Sequence, residues 1–383
     1  MNQIRNHYKI VTIFSVLCLL LTGCGNKESA AQGETTDIFG SYTISPSGAL
    51  KNNGNGYLLF YDKESDSTVY LCNRAGCRHI DHTCGAYFEG MILPFFFDSY
   101  LYIVASTLTE DCQIFRADRY GENRELLQTI SRPVLQIEIV GNELYFFGVI
   151  MEDAEEESTS RQSVGQLLCR LNLDTGDYKE FSNIATGYPN ANPGHFTVTN
   201  NFFYISYNSS SIDFSKLFDS DTGKLKDIAW DEIVYTDLVY RMNRDTEEME
   251  LIYTREKTGG NTFSVSVLEE NEYSLTLFSP DRIWEYDLRT GEETILYEPI
   301  EEMEEVSKIG THYLICNYSE KNFILLKDWQ EAASFSGLDY EVDSYFGMSG
   351  DSVYFGRNGN LCAIKYEDLV NGNYDFRIVM SER

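Results

Sequence analysis

The sequence has little positive charge and few long apolar segments. Its 383 residues include 30 basic and 60 acidic side chains, a formal net charge of −30. A field of this sign repels nucleic acid and anionic lipid headgroups at long range, so no nucleic-acid partner is expected. Solubility of an exported chain accounts for such a charge, and attraction of a cationic partner is the alternative interpretation.

Catalytic motifs and helical periodicity are also scarce. The sequence contains no Gly-x-Ser-x-Gly turn, no phosphate-binding glycine loop and no His-Glu-x-x-His pattern. His195 and His312 are isolated, which is typical of histidines satisfied in a loop or a core. The best candidate for a helix is the short stretch at residues 300–308. The sequence therefore identifies no catalytic residue.

The amino-terminal segment has the layout of a secretion signal. Arg5 and Lys9 precede an apolar run at residues 10–21, which is too short to span a bilayer comfortably. The polar tract at residues 25–37 has no apolar period and is typical of a flexible tether. Removal of residues 1–23 takes away two bases and no acid, leaving 28 basic against 60 acidic residues and a net charge of −32.

The apolar run ends at Leu21-Thr22-Gly23-Cys24, which resembles the lipobox of bacterial lipoproteins. The resemblance implies that Cys24 is thioether-linked to diacylglycerol and becomes the new amino terminus. Two acyl chains suffice for stable anchoring. We therefore expect a signal peptide at residues 1–23, a lipidated cysteine with its tether at residues 24–44, and a location on the extracytoplasmic face of the cell membrane. A plain cleavable signal is the alternative. No second apolar span follows, so the remainder is expected to stay outside the membrane.

The rest of the chain is rich in residues that favour strands. Hydrophobic residues make up 43% and aromatic residues 14%, with 27 Tyr and 23 Phe. This is enough apolar material for a core, and aromatic side chains suit half-buried pleated surfaces. We therefore expect an all-β body at residues 45–383.

Within that body a short unit recurs, in which a turn pair precedes an aromatic strand. Clear copies lie at residues 141–148, 310–314 and 350–356. An alternating strand often follows and ends in Asn or Asp and then x-x-Thr-Gly, as at residues 168–176 and 283–291. This ending indicates a tight turn, because Gly can take a positive φ between two strands.

Seven units begin near residues 56, 98, 141, 200, 271, 310 and 350. The step from Tyr102 to Tyr145 is 43 residues and that from Tyr313 to Tyr354 is 41, close to the length of a four-stranded propeller blade. Longer steps contain insertions at residues 151–166 and 208–230. The pattern predicts a single β-propeller of seven blades, with six or eight as alternatives. Two stacked β-sandwiches are the rival architecture, although sandwiches rarely repeat internally.

These units resemble the lipid-anchored β-propeller lipoproteins of bacteria, a broad group of unassigned activity that repeats Leu-Tyr-Arg-x-Asp-x-x-Thr-Gly. The resemblance covers most of residues 45–383, and each motif in it is short. It implies a fold and a location far more than an activity.

Nine cysteines occur in the sequence. Cys18 lies in the signal segment and Cys24 is the expected site of lipid attachment. The remaining seven are an odd number, so they cannot all pair within one chain. Four of them stand alone in strand-like apolar contexts and are expected to be small buried hydrophobic residues: Cys112, Cys169, Cys316 and Cys362.

Cys72, Cys77, His79 and Cys84 form a cluster with the spacing Cys-x4-Cys-x-His-x4-Cys. Three cysteines and one histidine match the ligand count of a closed structural zinc site. In an extended segment Cys77 and His79 would share a face, and the intervening loops are long enough to close a tetrahedron. The cluster also resembles a Cys/His segment near the start of the same lipoprotein group. His82 could replace His79, although it looks more like a loop side chain.

Two other states of this cluster remain open. An exported chain can form disulfides, and three cysteines would then give one disulfide and one free thiol. The thiols could also be reduced and unliganded. The metal interpretation predicts one structural zinc ion and no other cofactor.

Two functions from different classes follow from this reading. The first is a membrane-anchored module that binds a protein, peptide or glycan ligand on the loop-bearing faces of the propeller, where aromatic side chains could stack on the ligand. The second is a hydrolase or lyase acting on an extracellular substrate, which rests on analogy between propellers alone. The first is favoured.

Overall fold

The computed structural model describes residues 42–53, 55–88, 91–106, 111–153, 161–181, 191–199, 201–211, 232–258 and 265–381. In these residues the chain forms seven four-stranded antiparallel sheets, each built from four consecutive strands. The sheets are the seven blades of a β-propeller, which confirms the predicted all-β fold and the predicted blade number. Cys24, the expected signal segment, the expected tether at residues 25–37, and residues 154–160 and 212–230 of the two expected insertions lie outside the described residues.

The first four blades contain the strands β1 to β16. These are Tyr42–Ser45, Gly48–Asn52, Leu58–Asp62 and Ser67–Tyr70 in blade 1; Met91–Phe97, Tyr100–Ser106, Cys112–Asp118 and Glu125–Ile130 in blade 2; Val134–Val140, Glu143–Asp153, Arg161–Asn172 and Tyr178–Glu180 in blade 3; and Asn192–Val198, Phe202–Ser210, Val234–Asn243 and Met249–Thr258 in blade 4.

The last three blades contain the strands β17 to β28 and two short helices. The strands are Ser266–Glu270, Ser274–Ser279, Arg282–Asp287 and Glu293–Tyr297 in blade 5; Glu305–Ile309, His312–Asn317, Asn322–Lys327 and Gln330–Ser336 in blade 6; and Val342–Ser349, Ser352–Arg357, Asn360–Lys365 and Arg377–Met380 in blade 7. The helices are Gly337–Tyr340 and Tyr366–Val370. Among the described residues, no helix has the length and apolar character needed to cross a bilayer.

The recurrent turn residues have a local physical cause. Two-residue hairpin loops need positive φ at the first central residue, which Gly350 supplies with φ of 61° in blade 7. In blades 1 to 5 the turn between the third and fourth strands uses an Asn or Asp side chain instead. In blade 3 the Asn172 side-chain oxygen accepts hydrogen bonds from the backbone N–H groups of Asp174 and Thr175, at 3.0 and 2.9 Å. This bond pattern explains why Asn or Asp starts the repeated x-x-Thr-Gly ending.

The hydrophobic core is divided among the junctions between blades. The buried side chains of the described residues form eight clusters, and seven of them each combine residues from two neighbouring blades. Phe95 of blade 2 and Phe146 of blade 3, for example, are both fully buried in one cluster. Burial of one such side chain contributes about 1.5–3 kcal/mol. The ring is therefore held together by apolar contact from blade to blade.

Blades 1 and 7 close the ring without exchanging a strand, since each of their sheets contains four consecutive strands. The Tyr42 hydroxyl donates to the Gly359 carbonyl oxygen at 3.1 Å, and its ring lies 4.8 Å from that of Phe346. Arg377 pairs with Asp66 at 2.6 Å on the outside of the same junction. We call this junction the seam. Its closure depends on side chains, because no backbone ladder crosses it.

The structure departs from the sequence expectations at three points. The first strand begins at Tyr42, three residues before the expected boundary at residue 45, because Tyr42 and Ile44 are buried in the seam. The other six units begin at the second strand of their blade. The unit expected to begin near residue 56 instead covers β3 and β4, the third and fourth strands of blade 1. Residues 300–308 do not form a helix, because residues 305–309 form the inner strand of blade 6 and Val306 packs against blade 5.

Candidate metal centre

The four predicted ligands lie in the connection between β4 of blade 1 and β5 of blade 2. One donor atom each from Cys72, Cys77, His79 and Cys84 lies within 4.8 Å of the other three. The structure therefore brings together all four residues that the sequence spacing selected. His82 is exposed and is not one of the four.

Two turns within the connection bring the cysteines back toward each other. The Cys77 N–H donates to the Arg74 carbonyl at 3.2 Å, and the Cys84 N–H donates to the Asp81 carbonyl at 3.1 Å. The Asp81 carboxylate fixes the second turn by accepting hydrogen bonds from the backbone N–H and the hydroxyl of Thr83, at 2.9 and 2.5 Å. Side chain and backbone together thus set the loop geometry before Cys84.

After Cys84 the connection is attached to the edge of blade 1. The Leu58 N–H donates to the Ala86 carbonyl at 2.8 Å, and the Phe88 N–H donates to the Gly56 carbonyl at 2.7 Å. Ala86 is fully buried, in a small cluster with Cys84. These contacts give the cysteine loop a rigid base, because they extend the hydrogen bonding of blade 1.

The imidazole of His79 is oriented from two sides. Its Nδ1 atom lies 3.2 Å from the Cys84 sulfur, and its ring is stacked on the ring of Tyr70. His79 has a φ of 53°, a conformation that non-glycine residues seldom adopt. A strained backbone that aims a nitrogen at a sulfur is typical of a site where function fixes the geometry.

The surroundings shift the pKa values of two of the thiols in opposite directions. Burial raises the pKa of the Cys84 thiol to about 12. Burial opposes ionisation of Cys72 as well, but the backbone N–H groups of Arg74 and Gly85 donate to its sulfur and lower its pKa overall. Hydrogen bonds to a sulfur favour its thiolate form. Cys72 is therefore prepared to act as an anionic ligand, whereas Cys84 requires a compensating positive charge.

This donor set could hold a metal ion, and its chemistry fits zinc. Sulfur and imidazole nitrogen are the usual ligands of structural zinc, and ligands at tetrahedral zinc are about 3.8 Å apart when the Zn–S bond is about 2.3 Å. The observed spread of up to 4.8 Å needs a contraction of less than about 1 Å to reach that distance. The three cysteines are free thiols here.

Blade 2 also contributes to the surroundings of the centre, through the turn between β7 and β8. Glu122 in that turn binds Arg74 of the cysteine loop, with 3.2 Å between Oε1 and Nε. Arg124 donates to the Gly85 carbonyl at 2.5 Å and lies over the ring of Phe88, 3.7 Å from its centroid. The sequence spacing did not identify these residues, because Glu122 and Arg124 are distant in sequence from the cysteines and follow no motif.

The other residues considered from the sequence occupy structural positions. Cys112, Cys169, Cys316 and Cys362 are all buried, as expected for small hydrophobic side chains. The His312 Nδ1 atom lies 2.7 Å from the Tyr366 hydroxyl, a contact that attaches the helix Tyr366–Val370 to blade 6. Burial lowers the pKa of His195, in the inner strand of blade 4, to about 4.

Among the described residues, one carboxyl group has a raised pKa, and it lies in the inner strand of blade 3. Glu138 is 5% exposed, and burial raises its pKa to about 8, against the opposing effect of Arg244. Its Oε2 atom has no hydrogen-bond partner. Little of this carboxyl group is accessible to solvent in the structure.

A surface groove of about 290 Å³ separates the outer strand of blade 4 from blade 5. Its lining residues are Leu251, Ile252, Tyr253, Thr254, Tyr286, Gly291 and Glu293. The Tyr253 hydroxyl donates to Glu293 at 2.9 Å, and the rings of Tyr253 and Tyr286 meet edge to face at 5.0 Å. Tyr286 is partly exposed and Glu293 is exposed, so an aromatic ring beside a carboxylate can contact a sugar or peptide there, whereas Tyr253 is 3% exposed and belongs to the core.

Comparison with known proteins identifies the fold but no family. No family model and no curated protein match the sequence. The fold is similar to that of a puromycin-hydrolysing peptidase from Mycobacterium tuberculosis, with a TM-score of 0.53 and 13% identity over 92% of this chain and 54% of the peptidase.

Two further structures also match. One is a puromycin hydrolase, and the other is the dipeptidyl peptidase 4 of Porphyromonas gingivalis. The hydrolase has a TM-score of 0.49 and 10% identity, over 92% of this chain and 54% of its own. The dipeptidyl peptidase has a TM-score of 0.46 and 8% identity, over 87% of this chain and 52% of its own. The chain spans about half the length of these peptidases. At such low identity the similarity concerns the β-propeller fold alone.

Proposed function

We propose that this chain is a lipid-anchored, extracytoplasmic β-propeller that binds a protein, peptide or glycan ligand, with its first blade held by a structural zinc ion. Lipid on Cys24 would attach it to the membrane. The body beyond the tether would present the blades to the exterior. Its strong negative charge disfavours nucleic acid as a ligand.

The observation that carries a structural role for the metal is the convergence of four protein ligands in one loop. A zinc ion bound by three sulfurs and one nitrogen has no open position for water or substrate. The ion would therefore fix the loop between blades 1 and 2 rather than take part in a reaction. Cys72, Cys77, His79 and Cys84 would hold it, and its binding energy would add to the stability of the fold.

A binding module also agrees better with the rest of the molecule than a hydrolase or lyase does. The sequence contains none of the nucleophile motifs named above, and the carboxyl group with a raised pKa, Glu138, is buried. The groove with Tyr286 and Glu293 offers surface for contact with a ligand. The similarity to peptidases supports the fold, and the alternative of an enzyme rests on that similarity.

The first test is the metal content and thiol count of the full-length protein, purified in detergent without chelator or oxidant. We expect about one zinc per chain, with three thiols that become reactive only after chelation. A protein without metal that carries a disulfide among Cys72, Cys77 and Cys84 would overturn the metal part of the proposal.

A second test addresses the ligand. The same protein is screened against glycan and peptide libraries, with hits repeated on a Tyr286→Ala variant. Binding without turnover of the ligand is expected. Cleavage of a bound glycan or peptide by the purified protein would establish the enzyme instead.

A further inference from the structure

Arginine side chains hold a backbone carbonyl on each side of the buried ligand Cys84. Arg74 donates through an NH1 hydrogen to the carbonyl of Thr83. Arg124 donates to the carbonyl of Gly85 at 2.5 Å. Cys84 is 3% exposed, so its sulfur can take up a metal only where this backbone places it. The two arginines therefore fix the position of the most buried ligand.

Both arginines depend on the β7–β8 turn of blade 2. Arg124 belongs to that turn, where its Nε donates to the Gly121 carbonyl at 3.1 Å. Arg74 belongs to the cysteine loop, but Glu122 of the turn accepts hydrogen bonds from its Nε at 3.2 Å and its NH2 at 3.4 Å. The turn thus acts on Cys84 by a direct route through Arg124 and by an indirect route through Arg74.

The turn and the loop also pack against each other without a gap. A Cβ atom at Gly85 would overlap the carboxylate of Glu122 and would lie 3.4 Å from the Cys72 sulfur. A Cβ atom at Gly121 would lie 2.9 Å from the Gly85 carbonyl oxygen. Glycine at both positions allows the two backbones to approach this closely.

The charges of this arrangement balance when a divalent metal is present. A zinc ion with three thiolates and a neutral histidine carries one net negative charge. Arg74 and Arg124 bring two positive charges and Glu122 brings one negative charge, so the assembly is neutral. A partly buried ionic group of this kind is stable only when its charges are compensated by close partners.

We propose that Glu122 and Arg124 of blade 2 are positioning residues for the metal centre of blade 1, so that metal affinity depends on a blade that contributes no ligand. This inference rests on the proposed structural metal. The metal centre would then join blades 1 and 2, and we call it a clasp for this reason. The ligand set alone would stabilise only the connection between β4 and β5. Partners behind metal ligands commonly change metal affinity by 10- to 100-fold when removed.

The test compares Glu122→Gln with a matched control, Glu125→Gln, in the full-length protein. Glu125 lies three residues further along the same segment and pairs with Arg116 at 2.7 Å, without touching the cysteine loop. Both variants remove one carboxylate and one surface ion pair. Zinc affinity is measured by competition with a chelator of known affinity. We expect a 10- to 100-fold loss for Glu122→Gln and less than about a twofold change for Glu125→Gln.

A double variant separates positioning from general destabilisation. If Glu122 acts through Arg74, the loss in zinc affinity of Glu122→Gln together with Arg74→Gln should be smaller than the product of the two single losses. Equal affinities for Glu122→Gln and Glu125→Gln, in a wild type that binds zinc, would overturn the inference and leave the metal site intact. A wild type that binds no zinc would instead refute the proposed function on which the inference rests.

Discussion

The ring of His79 lies flat against the ring of Tyr70, with centroids 4.4 Å apart and planes 13° apart. Tyr70 is the last residue of β4, so the rigid edge of blade 1 supports the imidazole. The stack leaves Nδ1 of His79 directed at the Cys84 sulfur. A residue outside the ligand set thus restricts how the only nitrogen ligand can rotate.

Replacement of Tyr70 should therefore weaken metal binding although no ligand is lost. Aromatic stacking is worth about 0.5–1.5 kcal/mol, which corresponds to a loss in zinc affinity of roughly 2- to 12-fold for Tyr70→Ala. Tyr70→Phe keeps the ring and should bind zinc as the wild type does. Chelator competition measures both. A Tyr70→Phe variant as weak as Tyr70→Ala would show that the hydroxyl, and not the stack, matters.

Loss of one ligand should remove the metal and lower stability. In Cys77→Ser we expect no stoichiometric zinc and a lower free energy of unfolding. A bound ion contributes about 4 kcal/mol when its free concentration is 1,000 times the dissociation constant, and this contribution disappears. Metal analysis and urea unfolding with and without chelator measure the effect. Cys316→Ala is the control, because Cys316 is buried in blade 6 and should leave the zinc content at one per chain.

The lipid anchor predicts a change of location. Cys24→Ala should move the protein from the membrane fraction to the medium or leave it unprocessed. Cys18→Ala changes a neighbouring cysteine in the apolar segment and should leave the protein in the membrane fraction. Fractionation and mass spectrometry of the amino-terminal peptide distinguish these outcomes. A wild type whose amino-terminal peptide carries no acyl chains would disprove the anchor.

At the seam, apolar burial should outweigh the ion pairs. Tyr42 is 6% exposed, and removal of a buried aromatic side chain costs about 3–5 kcal/mol, so Tyr42→Ala should strongly destabilise the ring. Lys63 pairs with Asp351 at 2.9 Å, but the two side chains are 34% and 68% exposed, and Lys63→Ala should cost less than about 1 kcal/mol. Urea unfolding compares the two. Similar losses would show that the ion pairs close the seam.

The buried carboxyl group of Glu138 should make stability fall as the pH rises. Burial raises its pKa to about 8, so above the ordinary glutamate pKa the folded chain holds a proton that the unfolded chain has lost. Its contribution is fully present below about pH 4.5 and is lost as the pH rises to about 8, by at most about 1.4 kcal/mol per pH unit.

The variant Glu138→Gln removes this titration and should flatten the pH dependence of unfolding. The range from pH 6.5 to 8 is suitable, because His195, whose pKa is lowered to about 4 in the folded chain and is near 6.5 in the unfolded chain, titrates alike in wild type and variant. The quantity to compare is the difference between wild type and variant. A difference that stays constant over this range would contradict a raised pKa at Glu138.

The blade number followed from the sequence because most turns contain a Gly, Asn or Asp that marks them. In blade 4 one of these turn residues is replaced. In blade 4 the position held by Gly176 in blade 3 is occupied by Glu247, which takes a φ of 59°. The strain is offset across the junction, since Glu247 pairs with Arg170 at 3.1 Å and with Lys179. Sequence alone gives no sign of such compensation, because the partners belong to another blade.

The candidate metal centre also combines residues that the sequence marks with residues that only the fold brings together. The four ligands could be selected from spacing, because they lie within 13 residues and coordination chemistry restricts both their type and their number. Tyr70 is next to the cluster in sequence, yet only the fold places its ring against His79. Glu122 and Arg124 could not be foreseen, because their role arises from contact between two blades. Residues 300–308 were misassigned for a related reason, since burial between blades outweighed the local pattern.

The seam has a mechanical consequence. If lipid on Cys24 holds the chain, a pull on any bound ligand reaches the anchor through Tyr42, and within the described sheets β1 is hydrogen-bonded to β2 alone. Blade 1 meets blade 7 through side chains, whereas its other junction has the covalent connection and would have the proposed zinc clasp. Tension would therefore separate blades 1 and 7 first and leave blades 1 and 2 joined. The ring would open at one defined place, and the other six blade junctions would remain closed.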